Sequence, residues 1–385
     1  MLTHWIWLTT RKGIGTCGCA SLLRLFGTAE RIYALTKEQC VRTDGFEPRW
    51  LESILDKDLT EAEKILVDCD NRNISLLTYA SAEYPERLRN IPDPPAVLYC
   101  RGNIPEVDEE AVIGIVGTRR CSAYGLLYAK QFSKQIANSG GIVVSGGARG
   151  IDTMALSSAL DSHMPVICVL GCGVDIAYPR ENRRLFEDIT YHGCLLSEFP
   201  PGTPPERGNF PQRNRIISGL SLGVLVIEAP LKSGALITAD HALEQGRDVY
   251  TIPGNMGTKQ CEGSNALLRD GASFVMDGWE LLESYVHLFP DKLHDYRSKT
   301  TIEHNFTARY GMSVAVCSPD AANAVNVELT DDEKTVLSQL SAEPMHADEV
   351  ISLSGLPSSR VMSALTMLQI KALVEKQAGN YYVRK

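Results

Sequence analysis

At 385 residues, with 44% hydrophobic and 22% charged side chains, the chain has the composition of a globular protein of roughly two to four domains, which excludes fibrous, coiled-coil and largely disordered architectures. A net charge of −9 excludes a uniformly basic coat for nucleic acid, so any polyanion site has to be local. Eleven scattered cysteines do not suggest a disulfide framework, and the close pair Cys17 and Cys19 has no partners at zinc spacing. Residues 1–8 have no basic stretch ahead of their short apolar run, and no segment reaches the apolar length of a membrane helix. A soluble, cytoplasmic chain with no membrane partner is expected.

In chain order, residues 1–75 read as short helices broken at Lys12-Gly13-Ile14-Gly15 and Phe26-Gly27-Thr28, a small helical N-terminal domain. From 76 to 288, continuous apolar runs at 111–116, 141–145, 165–170, 193–197, 222–228, 248–252 and 273–276 suit strands covered on both faces. Segments such as 126–138 and 153–160 between them have the length and period of crossover helices. The expected fold is α/β: a doubly wound, mostly parallel sheet with ligands at the carboxyl ends of its strands. Residues 289–328 lose the periodicity and read as a linker. From 329 to 385, helices at 331–340, 347–352 and 358–368 and a hairpin across Gly379-Asn380 spell a winged helix-turn-helix. Its third helix offers Arg360 and little else to a base edge, and Asp331, Asp332, Glu333, Asp348 and Glu349 surround it. A protein-contact or regulatory role is expected there, not duplex binding.

Small and basic residues follow each central strand. Gly117-Thr118-Arg119-Arg120 combines a close backbone approach with a forked donor. Ser145-Gly146-Gly147-Ala148-Arg149-Gly150-Ile151-Asp152 reads as an anion nest, with Asp152 placed to cap the next helix. A third loop brings Arg180 and Arg183, a fourth Arg213, Asn214 and Arg215, and a fifth Ser233 and Thr238 at a helix start. Each taken singly also fits a tight turn, a helix cap or a solvated arginine; convergence on one sheet edge favours a phosphate site. There is no GxGxxG dinucleotide fingerprint, no GxxxxGK[ST] loop and no nucleophile–base pair forced by spacing. Neither Glu228 nor Glu244 alone carries a mechanism, so neither a cofactor nor catalysis is indicated.

The ordered set Ile115-Val116-Gly117-Thr118-Arg119-Arg120, Tyr124-Gly125, residues 145–152, 173–179, Ser197-Glu198, residues 210–217, Glu228-Ala229, residues 233–239, Gly246-Arg247, Pro253-Gly254 and Gly271-Ala272 closely resembles the DprA/Smf DNA-processing proteins of bacteria. The resemblance spans roughly residues 80–280. It implies a Rossmann-like core flanked by a helix-hairpin-helix-like or SAM-like N-terminal domain and a C-terminal winged helix. It also implies a homodimer that binds and protects single-stranded DNA and helps load the RecA recombinase during natural transformation. Two positions depart from the family pattern: Gly147, where Leu is usual, and Leu156, where His is usual. The rival reading is a LOG-like nucleotide phosphoribohydrolase, but the Pro-Gly-Gly of that loop is absent and Thr238 to Glu244 is too long a spacing.

Overall fold

The computed structural model describes residues 1–297, 330–340, 345–370, 373–377 and 381–384. The chain forms two compact units, Met1–Arg309 and Tyr310–Lys385. No helix among the described residues is long and apolar enough to cross a membrane, and their cysteines are free thiols.

The N-terminal residues form helices α1 (Leu2–Thr10), α2 (Gly15–Phe26), α3 (Ala29–Tyr33), α4 (Lys37–Arg42), α5 (Leu51–Leu55) and α6 (Thr60–Asn71). Thr28 caps α3, and Thr36 with Gln39 closes a capping box on α4, so the sequence marks these starts itself. Trp5, Trp7 and Trp50 are buried among them, and the Trp7 indole donates to the Asp56 carbonyl at 2.9 Å. Large apolar side chains thus let short helices that would not persist alone form a core.

The sheet that follows has nine strands: β1 (Ser75–Thr78), β2 (Val97–Gly102), β3 (Val112–Val116), β4 (Ile142–Ser145), β5 (Val166–Val169), β6 (Cys194–Ser197), β7 (Gly223–Val226), β8 (Asp248–Thr251) and β9 (Ser273–Phe274). Their order is β1-β2-β6-β5-β4-β3-β7-β8-β9. Every residue from β3 through β7 within these strands is buried, which is why they read as unbroken apolar runs. The neighbours from β6 through β9 pair parallel; β1 with β2 and β2 with β6 are antiparallel. The sequence reading did not anticipate β1 and β2.

Crossover helices are α8 (Ala123–Asn138), α9 (Ile151–Leu160), α10 (Arg183–His192), α11 (Asn209–Leu220) and α12 (Gly234–Glu244), after the short α7 (Glu86–Arg89); α13 (Glu262–Arg269) follows β8. Helix α8 packs on α9, and α11 on α12. The chain lays down β3, β4, β5 and β6 in one direction, then returns to place β7 beside β3 and continues the other way. That reversal opens a crevice at the carboxyl ends of β3 and β7, where Val116 and Val226 are in register. The sheet topology therefore fixes the place of a site before any side chain is considered.

The first nine residues of the expected linker pack on the first unit. Phe289 and Leu293 are buried, Lys292 pairs with Glu110 at 3.0 Å, and the Gln135 amide donates to the Tyr296 hydroxyl at 2.8 Å. Residues 289–297 are thus part of the first unit, because two apolar anchors four apart outweigh the loss of regular pattern. The remainder of that expected linker, 298–328, lies outside the described residues.

In the second unit, helices Asp331–Gln339, Ala347–Ser354 and Ser358–Ile370 pack with a three-stranded sheet of order β10-β12-β11, made of β10 (Met345–His346), β11 (Val374–Gln377) and β12 (Tyr381–Arg384). Val336, Leu340, Val350, Val361, Leu365, Leu368 and Tyr382 form its own core. This is the winged helix.

Candidate nucleic-acid interface

A groove of about 960 Å³ lies over the switch point. The loops after β3, β4, β5, β6 and β7 build it, with Lys259 and Gln260 closing one side. Arg119, Arg120, Arg207, Lys232 and Lys259 line it as exposed cations, and Asp152 is the one carboxylate among its lining residues. A chain of net charge −9 thus gathers positive charge at one sheet edge. Within the groove the Arg119 guanidinium lies over the Phe210 ring, 5.2 Å from its centroid, and the Tyr178 ring lies 5.6 Å from that of Phe210. A cation stacked on one ring, with a second ring beside it, is a surface suited both to a phosphate and to the flat face of a base.

Buried groups hold this surface. Arg213, 3% exposed, donates to the carbonyls of Gly146 (2.7 Å) and Val169, joining the ends of β4 and β5 from beneath. A Cβ at residue 146 would meet the Arg213 nitrogens at 2.5 Å, so glycine is what lets the guanidinium in. Gly147 takes φ +63°, and a Cβ there would meet the Cys168 sulfur at 2.7 Å and the Phe186 ring, so glycine is what permits this close approach. Asn214 donates to the Gly234 carbonyl at 3.0 Å, linking α11 to the start of α12, where Ser233 caps the helix. Glu228, fully buried, accepts from the Ser122 amide at 2.8 Å and from its hydroxyl, and so secures the start of α8. Asp152 is buried beneath the nest and accepts from the Ala148 amide at 3.4 Å. Burial pushes its carboxyl up to about 6, against the pull of Arg213, the Ala148 amide and Arg119.

Of the residues singled out from sequence, Gly117, Thr118, Arg119, Arg213, Asn214, Ser233 and Thr238 line the groove. Gly146 and Arg149 line a narrower slot that shares Arg119, Tyr178 and Phe210 with it. Arg149 is paired there with Glu181. Gly147 is buried behind the slot rather than lining it. Arg180 and Arg183 are exposed on the turn and helix after Pro179, outside the groove lining, with Arg183 paired to Glu187 at 3.0 Å. Arg215 is a correction: its side chain, 2% exposed, bonds Asp93 at 3.0 Å and Glu198 at 2.7 Å and contributes nothing to the lining. Arg120, Arg207, Lys232, Lys259, Tyr178 and Phe210 were not singled out. Arg120 stood beside Arg119 in the first basic loop; the signal of the others was weak because Arg207, Lys232 and Lys259 lie in separate loops and the rings stand next to prolines.

Glu244 is exposed at the far end of α12 from Ser233 and pairs with His241 at 3.4 Å. Six residues of helix, about 9 Å, separate it from Thr238, the last residue of α12 in the groove lining, so no constellation of the LOG type is assembled among the described residues.

Two family models match the chain: the one described as DNA recombination-mediator protein A over residues 75–286, and the DprA winged helix domain over residues 320–380. Protein Smf of Synechocystis is 33% identical over 99% of this chain and 98% of its own length. The DNA processing protein DprA of Bacillus subtilis is 37% identical over 68% of this chain and 89% of its own. Among solved structures, DprA of Streptococcus pneumoniae aligns with TM-score 0.64 and 30% identity, covering 74% of this chain and 98% of that one. A Helicobacter pylori DprA structure, described for its single-stranded DNA binding mode, aligns with TM-score 0.50 and 28% identity over 57% of this chain and 97% of that one. With the fold, the switch-point groove and these matches together, the chain belongs to the DprA/Smf family of DNA recombination mediators.

Proposed function

We propose that the groove holds single-stranded DNA, with phosphates on Arg119, Arg120, Arg207, Lys232 and Lys259 and one base stacked beside Arg119, Tyr178 and Phe210. The observation that carries this reading is the Arg119 guanidinium over the Phe210 ring at the floor of a cation-lined groove. Stacking on an aromatic platform needs an unpaired base, so the site favours a single strand over a duplex. The single-stranded binding mode described for the Helicobacter pylori relative supports the same reading.

On this reading the protein acts in the cytoplasm without chemistry of its own: it protects incoming strands and helps hand them to the RecA recombinase. The family description as a recombination mediator supports that role. A homodimer through the β9 edge fits the exposed Phe274 (52%), Met276 (65%) and Met256 (95%) around a short edge strand. Light scattering should then return twice the 42.3 kDa of one chain, and the monomer mass would remove the dimer. Titrating a labelled single strand and a duplex of equal length tests the main proposal: preference for the single strand is expected, and equal or weaker affinity for it would refute the site.

A further inference from the structure

Residues of one helix face are one turn apart, and α11 uses two of its faces for different work. Phe210, Arg213, Asn214 and Ile217 face the groove. Gln212 and Arg215, three apart, are outside that lining: Gln212 faces α2, and Arg215 faces Asp93 and Glu198. The Gln212 amide donates to the Thr16 hydroxyl on α2, and that hydroxyl donates onward to Glu198 Oε2 at 3.4 Å. The same Glu198 oxygen accepts from Arg215 at 2.7 Å, and Arg215 reaches Asp93 at 3.0 Å. The Thr16 hydroxyl at the first turn of α2 is therefore one link between the N-terminal helices and the ion network on the helix that carries Phe210; the neighbouring Cys17 thiol, 3.9 Å from Asp93 Oδ2, is another.

Resting on the proposed single-strand site, we infer that Thr16 is a positioning residue for it: α2, through Thr16, Gln212 and the Arg215–Glu198 pair, sets the rotation of α11 and hence the place of Phe210 in the groove. The network is costly to leave half-made. Arg215 and Glu198 have side-chain exposures of 2% and 7%, and Arg215 Nη1 and Glu198 Oε1 already lack partners. Loss of the Thr16 hydroxyl takes the hydroxyl partner from the half-buried Gln212 amide and one of the two donors from Glu198 Oε2, which keeps Arg215, and a rotation of α11 is a motion that can bring the Gln212 amide a new partner. Phe210, two residues before Gln212, moves with that rotation. The N-terminal domain then acts on DNA without touching it.

The test uses the full chain with Thr16→Val, which keeps the shape and deletes the hydroxyl, and Thr16→Ser, which restores it. Thr16→Val should weaken single-strand affinity about threefold or more. The salt slope should stay unchanged because no phosphate contact is lost, and Thr16→Ser should recover the affinity. In a Phe210→Ala background the Thr16→Val effect should vanish, because it acts through that ring. Additive losses, unchanged affinity, or a flattened salt slope would each overturn the coupling. Gln212→Met, at a half-buried position, provides a second route to the same result if Thr16→Val folds poorly. Amide exchange of residues 209–214 reads the coupling without DNA: it should quicken in Thr16→Val. Unchanged exchange would overturn the inference even where the groove binds DNA, whereas faster exchange in a chain that binds none would refute the proposed function alone.

Discussion

Arg213 and Gly146 fit one another: the guanidinium donates to the Gly146 carbonyl at 2.7 Å, in a space that a single methyl group at residue 146 would occupy. The fit ties the loop after β4 to the helix that floors the groove. Gly146→Ala should push the guanidinium off its two carbonyls and destabilise the fold by ~1–3 kcal/mol. Urea unfolding measures this. Because the cost lies in the clash, it should shrink in an Arg213→Met background, and an equal cost in both backgrounds would contradict the packing described.

Asp152 should make stability depend on pH. Its folded value of about 6 exceeds the ~4 of an unfolded carboxyl, so between these pH values the folded state holds a proton that the unfolded state has lost. The protonated form's contribution is full below about pH 4 and is lost as pH rises through about 6, a change on the order of 3 kcal/mol for this gap. Asp152→Asn should remove most of that fall, leaving the part due to Glu198, whose carboxyl burial also raises. Thermal melts from pH 4 to 8 check it, and identical pH profiles for the two chains would count against a buried Asp152. At pH 8 the same substitution removes the groove's one lining carboxylate and should strengthen single-strand binding.

The winged helix presents its third helix with its arginine already engaged. Arg360 pairs with Asp332 through two bonds, at 2.7 and 2.5 Å. A base or phosphate would have to displace that carboxylate. Arg360→Ala in the full chain should therefore leave duplex affinity unchanged in an anisotropy titration, and a loss of tenfold, about 1.4 kcal/mol, would assign this helix to DNA.

The central sheet was legible because burial on both faces of β3 through β7 wrote unbroken apolar runs into the sequence. β1 and β2 were not: β1 is four residues with an exposed-to-buried gradient, and β2 opens one residue after Pro94-Pro95 and ends on Arg101 and Gly102. Glycines and arginines in the loops pointed to the carboxyl edge of the sheet, where the groove lies. Side-chain direction was hidden. Arg213 and Arg215 differ by two positions on one helix, yet the first is drawn under β4 and β5 and the second toward Asp93 and Glu198. Asp93 is 122 residues distant in the chain, so no local pattern announces the pairing. Lys259 and Arg207 likewise join the groove only because the topology returns β7 to the side of β3.

The most direct test is the slope of log affinity against log salt for a single-stranded oligonucleotide, in the parent chain and in Arg119→Ala, Lys232→Ala and Lys259→Ala. If these side chains hold phosphates, each substitution should weaken binding to every sequence alike and lower the magnitude of the slope by about 0.7 for a single strand. Parent-like affinity and slope in all three would show that the strand lies elsewhere and contradict the groove as its site.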